Sequence, residues 1–80
     1  MIGRRVYTEE DFGQPGDYMK WHGQWLLCLP TGIRGTIDNR WSITEHPDGT
    51  ITVSPSIDTK SHQPELSWHG YLTEGIWRSC

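Results

Sequence analysis

Apolar and polar residues alternate along much of this chain, as they do in β-strands that bury one face. The clearest case is the stretch 41–57, WSITEHPDGTITVSPSI, in which two alternating runs flank Pro47-Asp48-Gly49. Asp-Gly favours a tight turn, because Gly accepts a positive φ without a steric clash and Asp bonds to its own local backbone. The stretch therefore predicts a β-hairpin.

Other stretches predict further strands in the same way. The stretch 20–29 predicts one strand, because its large apolar side chains fall mostly on one face: Trp21, Trp25, Leu27 and Leu29. Shorter strands are expected at Ile2–Tyr7, Gly35–Asn39, Leu66–Leu72 and Ile76–Arg78. The polar stretch Asp58–Glu65 is interpreted as an exposed loop.

Strand number and length together predict the fold class. About five or six short strands separated by turn signals are typical of an all-β domain, here a small, mostly antiparallel sheet or partial barrel. At most one short helical turn is expected near the N-terminus, at Thr8–Phe12, because Gly13 and Pro15 follow it. The 80 residues predict a single domain, with an N-terminal arm or loop over 1–19 and a β core over 20–80.

The composition narrows the classes of partner. Five Trp, three Tyr and one Phe supply the large side chains that so short a chain needs for a core, and one or two Trp are expected at a partner-facing surface. The net charge is −3 and the Lys and Arg residues are scattered, which does not favour nucleic-acid binding. No apolar run is long enough to cross a membrane. A protein is therefore the predicted partner.

The cysteines and histidines do not form a metal-binding pattern. Cys28 and Cys80 are too few for a disulfide framework; reduced thiols are predicted, and a single bridge between the two is left open. The chain has no Cys-x-x-Cys and no His-x-x-x-His, which are spacings typical of zinc sites. The sequence predicts surface histidines and a buried thiol, with no metal and no cofactor.

Catalytic motifs are also missing from the sequence. Ser54, Ser56 and Cys28 are candidate nucleophiles, but no nucleophile elbow or comparable context surrounds them. Ser54 and Ser56 are interpreted as satisfying backbone groups around Pro55. The sequence predicts that the chain is not an enzyme and has no catalytic residues.

A candidate binding surface lies near the end of the chain. His69 and Tyr71 share the polar face of a predicted strand whose other face is apolar, and the return strand carries Trp77. Aromatic and imidazole groups suit recognition of a protein or a planar ligand. The alternative is that Tyr71 and Trp77 close a second small core. The candidate binding residues are His69, Tyr71, Trp77, Trp68, Ser54 and Ser56.

The triplet Trp-His-Gly occurs twice, at Trp21–Gly23 and Trp68–Gly70. A true repeat should show similarity beyond three residues, and the flanking sequences do not match. Two strands that each use an inward Trp, and a Gly where backbones approach closely, explain the coincidence better than a duplication does.

About half of the chain resembles a known family. TVSPSI at Thr52–Ile57 and WHGYLTEGIW at Trp68–Trp77 are similar to elements of a family of small bacteriophage and prophage proteins of unknown function. EDFGQPGDY at Glu10–Tyr18 is similar to an N-terminal element of its phage-encoded members. More distant relatives carry a Cys-Pro-x-Cys and a Cys-His pair that resemble a zinc site, whereas this chain has Cys28-Leu29-Pro30-Thr31 and Trp68-His69. The resemblance implies a phage setting without the metal ligands.

These observations predict a non-enzymatic phage accessory protein, located in the host bacterial cytoplasm, that binds a host or phage macromolecule and inhibits a bacterial defence system. Self-association into a homo-oligomer is expected, because the edge strands of so small a β domain need to be covered. Two alternatives stay open. One is a structural or decoration component of the virion, and the other is a protein that binds a small ligand, either a nucleotide signal or a metal at a degenerate site.

Overall fold

The structure is a computed structural model that describes all of residues 1–80. Eight strands form two four-stranded sheets, and within each sheet the strands follow chain order. The first sheet contains β1 (Arg4–Arg5), β2 (Asp17–Trp21), β3 (Gln24–Cys28) and β4 (Arg34–Ile37). The second contains β5 (Ser42–Glu45), β6 (Ile51–Thr59), β7 (Trp68–Thr73) and β8 (Ile76–Ser79). Only β1 and β2 pair in parallel; all other neighbours are antiparallel.

The all-β prediction is confirmed, but the finer predictions need correction. There are eight strands rather than five or six, and the two sheets do not close into a barrel. The residues Thr8–Phe12 form hydrogen-bonded turns, with the Asp11 N–H donating to the Thr8 carbonyl at 3.2 Å. The one short helix is a 3₁₀ turn at Pro64–Leu66, inside a stretch that the sequence predicted to be mostly loop. No helix is long and apolar enough to cross a bilayer.

The predicted single strand over residues 20–29 is wrong, because the chain reverses in its middle. His22 and Gly23 both have positive φ angles, 49° and 78°, and join β2 to β3 in a two-residue turn. Two successive positive φ angles are what a tight hairpin turn of this kind requires. The same geometry recurs at Glu74 and Gly75, which join β7 to β8 with φ angles of 48° and 77°.

The predicted hairpin over residues 41–57 is confirmed as β5 and β6. Its turn is closed by the His46 N–H, which donates to the Thr50 carbonyl at 2.8 Å. The Asp48 carboxylate accepts hydrogen bonds from the backbone N–H and the hydroxyl of Thr50, at 3.0 and 2.7 Å. These bonds and the neighbouring His46 lower the pKa of Asp48. The local Asx geometry predicted for Asp-Gly is therefore present.

The core lies between the two sheets and draws on both. Its ten buried members are Tyr18, Trp25, Leu27, Leu29, Ile37, Ile51, Val53, Ile57, Leu72 and Trp77. The strand Asp17–Trp21, which crosses the boundary expected between arm and core, contributes Tyr18 to this cluster. Met1–Gly3 joins the sheets at one side: the Trp77 N–H donates to the Met1 carbonyl at 2.8 Å, and Gly3 N–H to the Gly75 carbonyl at 2.7 Å. A Cβ at Gly3 would meet the Trp77 Nε1 at 2.7 Å, so only Gly fits this crossing.

A buried carboxylate fastens the N-terminal segment to the first sheet. Asp17 is 1% exposed and accepts two hydrogen bonds from the Arg4 guanidinium, both at 2.9 Å. It also accepts the backbone N–H groups of Gly13 and Gln14 at 3.1 and 2.9 Å. Burial by itself would raise the pKa of Asp17, but the Arg4 and backbone hydrogen bonds outweigh it and hold that pKa below its usual range.

Candidate functional site

An irregularity in β6 is the most distinctive feature of the second sheet. Val53 pairs with Leu72 and Ile57 pairs with Gly70, so four steps along β6 match only two steps along β7. Two extra residues are therefore accommodated in Ser54–Ser56, which lies opposite the single residue Tyr71. Such a bulge bends the strand and redirects its side chains, and bulges are common beside functional sites.

The bulge brings Ser56 to His69. The Ser56 Oγ lies 3.1 Å from the His69 Nε2, although the two residues are 13 positions apart. His69 is exposed and Ser56 is half-buried, on the face of the sheet that points away from the core. A serine hydroxyl within hydrogen-bond distance of an imidazole is the minimal arrangement of an activated nucleophile and its base.

A carboxylate occupies the ladder position opposite the same imidazole, although no hydrogen bond or ion pair joins the two side chains. Asp58 is directly opposite His69 in the β6–β7 ladder, and both side chains are exposed on the outer face of the sheet. Directly opposed residues in an antiparallel pair have Cβ atoms roughly 4.5–5.5 Å apart. Ser56, His69 and Asp58 thus lie on one face at neighbouring positions of the β6–β7 ladder, and we call these three residues the Ser-His-Asp cluster. Tyr71, which is 48% exposed, shares its face.

Trp41 anchors the strand that carries the serine. Its indole Nε1 donates to the Ser56 carbonyl at 3.3 Å, from the position just before β5 begins. The Trp41 ring is half-buried and packs against the core, and the Arg40 guanidinium lies 5.3 Å from the ring centroid. On the side of β6 that faces β5, the backbone just after Pro55 is therefore held by a side chain, because the β5 pairing ends at Ser54.

The six candidate binding residues are divided between surface and core. His69, Tyr71 and Ser56 meet on the outer face as described. Ser54 is exposed nearby and pairs across the ladder with Ser42. Trp77, however, is 2% exposed and donates its indole N–H to the Gly16 carbonyl at 3.0 Å.

Trp68 also packs inward. It meets the Trp77 ring edge-on, with ring centroids 5.4 Å apart, and is only partly buried. The expected surface patch of His69, Tyr71 and Trp77 therefore does not form, because Trp77 belongs to the core. The sequence predicted that the Ser56 hydroxyl bonds to backbone groups around Pro55, but in the structure its partner is the His69 imidazole.

Sequence reasoning missed Asp58 and the pairing of Ser56 with His69. The sequence predicts an exposed loop that begins at Asp58, whereas β6 continues through Asp58 to Thr59. The sequence contains one signal for this arrangement. Ser56 and Asp58 are two positions apart in one extended segment, so their side chains are expected on the same face. The partner strand and its register could not be read from that signal.

Two other candidates for catalysis, the His46–Thr52 pair and the Cys28 thiol, are weaker. The His46 Nε2 lies 2.7 Å from the Thr52 Oγ1, but that hydroxyl also accepts the Glu74 N–H at 3.0 Å and so links two hairpin turns. Cys28 is fully buried, and burial raises the pKa of its thiol, which disfavours the reactive thiolate. Cys28 and Cys80 are both free thiols. No three His, Cys, Asp or Glu residues converge in a way that could hold a metal ion.

Comparison with known proteins gives one match. Neither a curated protein nor a solved structure matches the chain significantly. The description of the matching family names a bacterial ubiquitination-like system and does not mention phages. The phage setting therefore stays a prediction.

That match covers residues 14–80, in the family described as "Bacterial ubiquitination-like system serine protease (BubE)". A family of serine proteases overturns the prediction that the chain is not an enzyme. The serine that contacts an imidazole lies in a bulged strand and not in a nucleophile elbow, so no catalytic sequence motif marks it. Since the match spans well over half of the 80 residues, the chain belongs to the BubE family.

Proposed function

We propose that this chain is a serine protease in which Ser56 is the nucleophile and His69 is the general base. The observation that carries the proposal is the 3.1 Å separation of the Ser56 Oγ and the His69 Nε2. The family description supports the reaction class and suggests a protein substrate connected with a bacterial ubiquitination-like system.

The chemistry follows from the pair. With the hydrogen of the neutral imidazole on Nδ1, the Nε2 accepts the Ser56 proton as the Oγ attacks the carbonyl carbon of a peptide bond. The His69 Nε2–H then donates that proton to the leaving amine as the C–N bond breaks, which leaves an acyl ester on Ser56. A water molecule, deprotonated by the same imidazole, then attacks the ester carbonyl carbon. The imidazolium donates its proton to the Ser56 Oγ as the acyl C–O bond breaks, which releases the acid and restores the serine.

Asp58 is assigned the orienting role. A carboxylate opposite the imidazole favours the Nδ1–H tautomer and stabilises the imidazolium that forms during the attack. Asp58 and His69 are exposed on one face at one ladder position, which suits this arrangement. Its effect is expected to be smaller than that of the serine or the histidine, because the side chain is solvated.

Labelling with a fluorophosphonate tests the proposal. This reagent forms a covalent bond with an activated serine and needs no knowledge of the substrate. We expect the protein to be labelled at Ser56, located by peptide mapping, and labelling to disappear in Ser56→Ala. Ser54→Ala is the matched control, since it removes a hydroxyl two residues away in the same bulge and should be labelled normally.

The histidine is tested in the same assay. His69→Gln should lower the labelling rate by about 10²- to 10⁴-fold, the usual contribution of a positioned base. His46→Gln removes the other imidazole that contacts a hydroxyl and should have no effect. Labelling at Ser54, or equal rates in the two His variants, would overturn the proposal.

The sequence-based prediction of a phage accessory protein that interferes with a bacterial defence system remains a prediction. Its protein partner, homo-oligomeric state and cytoplasmic location remain predictions as well, together with the virion and small-ligand alternatives. A pull-down from infected cells with the tagged Ser56→Ala protein would address them, because an inactive protease retains a substrate that the active one releases.

A further inference from the structure

An open groove separates the two sheets beside the Ser-His-Asp cluster. The pairing of β5 with β6 begins where Glu45 lies opposite Ile51 and ends where Ser42 lies opposite Ser54. Beyond Ser54, the edge of β6 has no strand on that side. Across the groove lies β4, the outermost strand of the first sheet. Two strand edges with free backbone groups therefore face the same gap, and such edges accept an added strand.

The floor of this groove holds an apolar pocket of about 90 Å³. Leu27, Leu29 and Ile33 line one part of it, and Trp41 and Ile57 line another. The volume is below the ~150 Å³ of an engineered cavity that takes up benzene. A compact aliphatic side chain suits this space better than an aromatic ring does.

The pocket exists because β4 has a glycine at an inward position. Gly35 lies opposite Leu27 in the β3–β4 ladder, and Leu27 is 2% exposed in the core, so both positions face inward. A Cβ built on Gly35 would meet no heavy atom within 4 Å. No steric constraint on the protein itself explains the missing side chain at this position.

The groove borders the strand segment that carries the proposed nucleophile, although neither Ser56 nor His69 lines the pocket itself. Trp41 lines the pocket, and its indole donates to the Ser56 carbonyl from the side of β6 on which β5 ends. Because backbone groups point to alternate sides along a strand, the N–H and C=O of Asp58 point to that same side. A chain lying along this edge could pair with Asp58 and would reach Ser56 next to Trp41.

We propose that this groove binds the substrate as an extended peptide, which adds a strand to the β6 edge and places one small aliphatic side chain, of the size of Val, Leu or Ile, in the Gly35 pocket. The inference rests on the proposed protease function, since the groove presents the peptide to Ser56. It adds a substrate conformation and a residue preference at one position beside the scissile bond.

The test combines two assays on the same variants. An internally quenched peptide library, varied at one position at a time, measures kcat/KM for each side chain. Fluorophosphonate labelling of Ser56 reports the nucleophile without using the groove. Gly35→Val and the milder Gly35→Ala fill the pocket, and Thr44→Val, on the exposed strand β5, is the matched control.

We expect the unaltered protein to prefer an aliphatic residue at one position by at least ~10-fold, the scale at which hydrophobic pockets discriminate. Gly35→Val should remove that preference and lower kcat/KM for the preferred peptide at least ~10-fold, with Gly35→Ala intermediate. The rate of Ser56 labelling should stay within about twofold in all three variants, because a small reagent that reacts at Ser56 does not need a pocket that neither Ser56 nor His69 lines.

The possible failures can be told apart. Three results with normal Ser56 labelling would overturn the groove. Absence of an aliphatic preference, or unchanged cleavage by Gly35→Val and Gly35→Ala, would leave the protease function standing. Absence of cleavage of every library peptide would leave only the activation of Ser56 by His69. Absence of Ser56 labelling in the unaltered protein would overturn both. A circular dichroism spectrum of each variant identifies any loss of fold.

Discussion

The two Trp-His-Gly triplets of this chain have the same letters and unrelated structures. Trp21–Gly23 contains the tight turn between β2 and β3, with His22 exposed and stacked edge-on against Trp21 at 4.4 Å. Trp68–Gly70 lies within β7, with Gly70 buried and His69 beside Ser56. The position of His69 beside Ser56 therefore follows from its strand register and not from its neighbours in sequence.

The largest difference in stability between the two triplets is expected at their glycines, Gly70 and Gly23. Gly70→Ala should destabilise the protein by about 3 kcal/mol or more, because overpacking a core forces the backbone apart. An added Cβ there would lie 2.8 Å from the Ser79 Cα and 2.7 Å from the Trp68 ring. Gly23→Ala meets no atom within 4 Å but keeps a φ of +78°, so its cost should be about 1–2 kcal/mol. Urea denaturation measures both, and equal costs would contradict the assignment of one strand and one turn.

The tryptophans should differ by a smaller amount. Trp68→Ala removes an aromatic pair with Trp77 and part of the core contact, so we expect a loss of about 2–3 kcal/mol. Trp21→Ala removes an indole that hydrogen-bonds to Glu9 on an exposed surface, and should cost about 1 kcal/mol. The same denaturation series measures both, and a larger cost at Trp21 would show that its packing matters more than its position suggests.

Substitutions of the two histidines, His22 and His69, should change the stability of the protein least. Their effects on the labelling of Ser56 should differ most. His22 has a φ of +49°, a conformation that Asn tolerates better than most residues, so His22→Asn should stabilise the fold by a few tenths of a kcal/mol, up to ~0.5. Its fluorophosphonate labelling should be unchanged.

His69→Asn provides the contrast. Position 69 is in an extended strand, so Asn brings no gain in stability there. Labelling of Ser56 should fall as it does for His69→Gln, because neither amide can accept the serine proton. Thermal melting and labelling rates together check both variants, and retained labelling in His69→Asn would contradict the role of the imidazole.

Local features of the fold could be predicted from the sequence, whereas its long-range features could not. Alternation and Asp-Gly at residues 48–49 act over a few positions, and they predicted the β5–β6 hairpin correctly. The reversal at His22-Gly23 has no strong local signal, because His-Gly is not one of the dipeptides, such as Asn-Gly and Asp-Gly, that mark two-residue hairpin turns. The missed reversal merged β2 with β3 and contributed to the low strand count.

The candidate site depends on features that no local pattern contains. Ser56, His69 and Tyr71 could be named from their residue types and strand parity. Their meeting requires the two extra residues of the β6 bulge and the β6–β7 register, and both are set by how the whole sheet packs. The burial of Trp77 is equally non-local, because its indole partner, Gly16, is 61 residues away.

The buried Asp17 carboxylate has a consequence for the order in which this protein unfolds in acid. Because its pKa is lowered in the folded state, its contribution to stability is complete above the unfolded-state pKa near 4 and is lost as the pH falls through the folded-state value. The groups it holds, Arg4, Gly13 and Gln14, all belong to the first 16 residues. Hydrogen exchange at decreasing pH should therefore find the N-terminal segment opening first, while the amides of β6 and β7 stay protected.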